Sequence, residues 1–93
     1  GNSKKRTNIK LFNILSNNIY ITDVKKNNKK SYLYLMNYSS EDETFEIESN
    51  YIEIKKLSIE NMSNKLLEKV DPSSSGKYFI DFKPNERKVI VIS

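Results

Sequence analysis

The chain has 93 residues, of which 37% are hydrophobic and 30% charged, with a formal net charge of +4. That length suits one domain with a thin core, since a chain this short buries only about two-thirds of its unfolded surface. It contains neither cysteine nor histidine, which excludes disulfides, thiolate metal sites, cysteine nucleophiles and Ser-His triads and removes the usual general base.

There is no alanine, and the apolar residues are mostly Ile, Leu, Tyr, Phe and Val. Helices favour alanine, whereas strands favour β-branched and aromatic residues, so composition points to β structure. The wealth of Asn, Lys, Ile and Ser is typical of A+T-rich coding sequence, so the lysine count carries little weight as a sign of nucleic acid. Charge is also uneven. Residues 1–30 hold eight basic groups and one acid, Asp23, whereas residues 31–93 hold eight basic groups and eleven acids. The positive charge therefore belongs to the start of the chain and its first turn.

Residues 1–18 read as a polar arm or linker. Within it, Ile9–Phe12 and Leu11–Ile14/Leu15 have the three- and four-residue spacing of a short helical turn, with a strand nearly as good a reading. Gly1 to Lys10 is polar and leads into no apolar h-region, so no signal peptide is visible. No run approaches the ~20 apolar residues of a membrane span, so a soluble domain is expected; it could be secreted or surface-borne within a larger protein, and the compartment stays open. A β domain is expected over 19–93. Ile19 to Lys25 is its first strand, with Ile19 and Ile21 on one face and Tyr20, Thr22 and Val24 on the other. The polar Lys26-Asn27-Asn28-Lys29-Lys30 suits a hairpin, because Asn tolerates left-handed geometry.

Ser31 to Tyr38 is apolar on both faces, as a central strand should be. Tyr32, Tyr34, Met36 and Tyr38 point one way, and Leu33, Leu35 and Asn37 the other. Thr44 to Ser49 alternates cleanly, with Phe45 and Ile47 inward. From Ile52 to Ile59 the apolar phase flips between Ile54 and Leu57, which predicts a β-bulge or bend. Lys65 to Val70 is a short strand in this context, and Asp71-Pro72-Ser73-Ser74-Ser75-Gly76 is a loop. Tyr78 to Phe82 and Val89 to Ile92 complete the set. Strands at this spacing predict an all-β fold, an antiparallel two-sheet β-sandwich of Greek-key or immunoglobulin-like type with about six or seven strands. Its core should be Leu33, Leu35, Phe45, Ile47, Ile80, Phe82, Ile90 and Ile92. The Asn37 amide should hold the turn that follows it.

Tyr32, Tyr34 and Tyr38 share a strand face beside a basic turn at Lys25, Lys26, Lys29 and Lys30. That combination is a candidate ligand platform, able to stack on sugars or on single-stranded nucleic acid. The competing reading is a core strand with solvated lysines at its turn, which Met36 in the same row favours. Glu41-Asp42-Glu43 reads as a solvated turn rather than a calcium loop. Carboxylate pairs such as Glu46/Glu48 or Glu53/Glu60 lack a cleft around them, so no catalytic residue is assigned. No cofactor or metal motif is present, and the Ser-rich loop lacks the lysine spacing of a phosphate-binding loop. Asn37-Tyr38-Ser39 and Asn61-Met62-Ser63 match the glycosylation triplet.

Tyr32-Leu-Tyr-Leu-Met-Asn37-Tyr-Ser, an acidic turn, Thr44-Phe-Glu-Ile-Glu48 and the closing Phe82-Lys-Pro84-Asn-Glu86-Arg-Lys-Val-Ile-Val-Ile92 come in an order that carries a resemblance. It resembles the C-terminal β-sandwich accessory domain that follows the catalytic barrel of many glycoside hydrolases, including β-galactosidase-like multidomain enzymes. The resemblance covers roughly residues 19–92. It implies a non-catalytic accessory or structural domain whose partner is the catalytic domain of its parent chain, and it supplies no site residues. Two departures stand out: there is no tryptophan, and the loops are too short to build a sugar pocket. The alternatives are a carbohydrate-binding module using exposed tyrosines, and an OB-like nucleic-acid-binding domain using the basic N-terminal third. The acidic body argues against the last.

Overall fold

The computed structural model describes the backbone of residues 5–9, 12–16, 18–49 and 53–93. Leu11, Asn17, Asn50 and Ile52, used in the sequence reading, lie outside the described residues. The described residues are all-β, with nine strands among them: β1 Lys5–Ile9, β2 Phe12–Ser16, β3 Ile19–Asn27, β4 Lys30–Asn37, β5 Glu43–Ser49, β6 Leu57–Glu60, β7 Leu66–Val70, β8 Tyr78–Phe82 and β9 Arg87–Ile92. They form two sheets, a four-stranded one ordered β1-β2-β5-β8 and a five-stranded one ordered β3-β4-β9-β6-β7. Every pairing is antiparallel. The expected β-sandwich is therefore the observed architecture, and its seven strands from Ile19 onward match the seven runs read from the sequence.

The arm at 1–18 differs from expectation. Its described residues take the strand reading rather than the helical turn: β1 pairs antiparallel with β2, and β2 with β5 so that Ile14 is in register with Ile47. The cause is tertiary. Ile14 is buried in the core between the sheets, and a strand places it there in register with β5, which a helical turn would not.

All eight residues expected in the core are buried. From the four-stranded sheet come Ile14, Phe45, Ile47, Tyr78, Ile80 and Phe82; from the other sheet and its lead-in come Ile19, Leu33, Leu35, Ile54, Leu57, Ile59, Ile90 and Ile92. Phe45 and Phe82 meet edge to face with ring centroids 6.4 Å apart, a geometry the ring quadrupoles favour. The sheets are also tied by polar contacts. The Tyr78 hydroxyl donates to the Ile54 carbonyl at 3.3 Å. Lys88 Nζ, from β9, donates to the Asp81 carbonyl of β8 at 2.7 Å and lies 5.2 Å from the Phe82 ring centroid.

The phase flip between Ile54 and Leu57 has the expected cause. The N–H groups of Lys55 and Lys56 both donate to the Ser93 carbonyl, at 2.9 and 3.0 Å. Two residues thus face one, which is the arrangement of a bulge. Asn37 is fully buried. Its Nδ2 donates to the carbonyls of Glu41 at 2.8 Å and Lys83 at 3.1 Å, while its Oδ1 accepts from Ser39 N–H at 2.9 Å. It holds its own turn, as expected, and also the β8–β9 turn, 46 residues along the chain. Burial and these bonds leave the Asn37 amide no room for a glycan, so that triplet is not an acceptor.

Candidate functional site

The outer face of the five-stranded sheet, turned away from the core, carries the tyrosines. Register places Tyr32 opposite Val91, Tyr34 opposite Val89 and Met36 opposite Arg87. Val89 and Val91 are 0% and 5% exposed, although they point to this side. The half-buried Tyr32, Tyr34 and Met36 flank them, so apolar surface covers the middle of the sheet on both sides. Tyr38 follows the end of β4 and meets Tyr20 of β3 edge to face, at 5.5 Å between centroids. These two rings are 54% and 52% exposed. Arg87 Nε donates to Met36 Sδ at 3.3 Å beside them.

A bulge decides which charges join this face. Strict alternation from Ile19 and Ile21 would aim Lys25 at the core and Val24 outward. The β3–β4 register instead shifts between Ile21 and Asp23, leaving Thr22 as the extra residue. Thr22 Oγ1 donates to the Tyr34 carbonyl at 3.2 Å. Beyond the bulge the parity is reversed: Asp23 faces Tyr34, Lys25 faces Tyr32, and Val24 falls in register with the core residue Leu33. Val24 therefore does not share a face with Tyr20, contrary to expectation, since one extra residue moves every later side chain to the opposite face; at this end of the sheet it stays 40% exposed. Lys25 Nζ comes to rest 5.1 Å from the Tyr34 ring centroid, within cation–π range.

Lys29 and Lys30 sit at the β3–β4 hairpin, where Asn28 takes a left-handed φ of 57°. Two shallow depressions meet here. One, of 390 Å³, is lined by Lys25, Lys26, Asn27, Tyr32, Tyr34, Glu60 and Asn64. The other, of 660 Å³, is lined by Asn27, Asn28, Lys29, Lys30 and Tyr32. Sharing Asn27 and Tyr32, they adjoin, and together they line a groove between the β6–β7 turn and the hairpin. At its far wall Asn64 Nδ2 donates to Glu60 Oε1 at 3.1 Å, with Asn64 itself at a φ of 59°.

The five residues proposed from sequence therefore share a sheet side but divide into two groups. Tyr32, Lys29 and Lys30 line the groove with Tyr34, whereas Tyr38 belongs to the exposed pair with Tyr20. Lys25 and Lys26, read with the same basic turn, line the groove too, whereas Glu60 and Asn64 were missed. Lys25 reaches the groove through the bulge, which no local pattern announces. Glu60 and Asn64 arrive from another strand and its turn.

A second groove, of 560 Å³, opens between the β7 and β8 edges and is lined by five acids, Asp42, Glu43, Glu68, Asp81 and Glu86, along with Lys83 and Lys88. Several of these acids are engaged structurally. Thr44 donates to Asp81 at 2.8 Å, Asn18 to Glu43 at 3.2 Å, and the Lys83 N–H to Glu86 at 2.9 Å. Glu46, on the four-stranded sheet, pairs with Lys77 at 3.7 Å. Among the described residues, no group of three or more acids could hold a metal ion, and no helix is long and apolar enough to cross a membrane.

No family model, curated protein or solved structure matches the chain. Its functional reading rests on the residues and geometry above.

Proposed function

We propose that the chain is a non-catalytic accessory β-sandwich of a larger, carbohydrate-active protein, and that it works by contact through the outer face of the five-stranded sheet. One observation carries this reading. Tyr20 and Tyr38 form a mutually braced pair, each more than half exposed, beside half-buried Tyr32 and Tyr34. Rings held rigidly at a surface offer apolar area with little entropy left to lose on binding. The exposed face of either ring, with its hydroxyl at the rim, suits the C–H faces and hydroxyls of sugar rings. A sheet face also answers the shortness of the loops, since it requires no loop-built pocket.

Affinity electrophoresis through gels containing soluble polysaccharides tests the reading. Retardation by at least one polysaccharide is expected, reduced when Tyr20 and Tyr38 are both replaced by Ala, with no hydrolysis of aryl-glycosides. Unretarded migration across neutral and acidic polysaccharides alike would refute it.

A further inference from the structure

We infer that the groove between the β3–β4 hairpin and the β6–β7 turn binds an acidic oligosaccharide, a chain of hydroxylated sugar rings carrying carboxylates. This deepens the carbohydrate reading and rests on it. The first ground is charge. The groove gathers Lys25, Lys26, Lys29 and Lys30 against a single carboxylate, Glu60. The acidic balance of residues 31–93 makes this cluster a local exception, and opposite charges across a contact steer and select the partner.

The second ground is the arrangement of the polar groups. The lysines gather toward the hairpin tip, whereas Glu60 and Asn64 stand hydrogen-bonded to each other at the opposite wall. A carboxylate and an amide are good partners for sugar hydroxyls, which a phosphodiester backbone offers sparsely. One end of the groove thus offers partners for ring hydroxyls and the other offers partners for anions. Densely sulfated chains fit this mixed lining less well than chains with a carboxylate on each ring.

The third ground is Tyr34. Lys25 Nζ lies over its ring, so stacking of a nucleobase on that face would have to displace a cation already bound there. The same contact leaves the ammonium beside the groove, where it can meet an anion. Tyr32, shared by both depressions, remains as the ring for a sugar to cover. The Thr22 bulge is what carries Lys25 into this position.

Isothermal titration calorimetry at 150 mM salt with hexagalacturonate, cellohexaose, a heparin hexasaccharide and a dodecathymidylate tests the assignment. Hexagalacturonate should bind at least tenfold more tightly than the other three. The double substitution Lys29→Gln with Lys30→Gln should weaken it at least fivefold. Both residues sit on an exposed hairpin, so their loss should leave the thermal melt in place. Tyr32→Ala should weaken it further. Equal binding of cellohexaose, unaffected by the lysine changes, would overturn the acidic ligand while sparing the carbohydrate reading. Preference for the heparin hexasaccharide would reassign the anion to sulfate and overturn the carboxylate assignment. Preference for the oligonucleotide would overturn both, and no binding at all would overturn the acidic ligand, with the polysaccharide gels then deciding the carbohydrate reading.

Discussion

Replacing Asn37 with Asp changes one atom and should unfold a large share of the molecules. Nδ2 now donates to two carbonyls, at 2.8 and 3.1 Å; an Asp oxygen in its place would face both as a bare acceptor. Only the Ser39 N–H bond, at 2.9 Å, survives. Losing two hydrogen bonds costs about 1 kcal/mol each, and a buried charge facing acceptors adds more, so a loss of about 3–5 kcal/mol at neutral pH is expected. Burial and the two carbonyls should raise the pKa of this carboxyl in the folded state above its unfolded value. Its neutral form is then the one the fold tolerates. The penalty should be smallest below the unfolded carboxyl pKa of about 3.9 and should grow as pH rises through the folded value. Urea denaturation of both proteins at pH 3.5 and pH 7, compared as differences, reads this directly. A variant within about 0.5 kcal/mol of the parent at both pH values, or a penalty that shrinks toward neutral pH, would refute the role assigned to Asn37.

Leu35→Ala should cost about 2–5 kcal/mol in the same assay, because Leu35 is buried in the core. Tyr34→Ala should cost clearly less, and the reverse order would place the core on the tyrosine side. Tyr78→Phe should cost about 1 kcal/mol by removing the bond to the Ile54 carbonyl. Burial, then Asp71 and Glu53, hold the Tyr78 phenol above its ordinary value of 10.0. A raised pKa stabilises the neutral form, so this contribution is complete below pH 10 and lost as pH climbs through the folded value. The stability gap between the parent and Tyr78→Phe should therefore narrow above about pH 10, and a gap constant into strong alkali would count against it.

The strands that alternate over five or more residues could be read directly, because each face meets a single environment. Phe45, Ile47, Ile80 and Phe82 followed that rule and are core. Ile14 did not declare itself. Its neighbours Leu11, Phe12 and Leu15 fit two periods at once, and only pairing with Ile47 of β5 selects the strand. Val24 and Lys25 exchanged faces because a bulge is a property of two strands together, and β3 alone does not reveal where it falls. The site followed the same division. The tyrosines and hairpin lysines were visible as a local pattern, whereas Glu60 and Asn64 reach the groove across two intervening strands. The β-sandwich itself could be anticipated from strand spacing, but the order β3-β4-β9-β6-β7 could not.

That order sets how the protein must assemble. β9, the last strand in sequence, lies at the centre of its sheet, between β4 and β6. Until residues 87–92 are in place, the β3–β4 and β6–β7 hairpins have nothing joining them, and each exposes an unpaired strand edge. The tyrosine face and the Glu60–Asn64 wall belong to different hairpins, so the groove does not exist before that final insertion. Ladders that join distant residues close slowly, and open edges invite pairing between chains. Removing residues 87–92 should therefore yield two hairpins prone to association, with the groove divided between them, rather than a smaller sandwich.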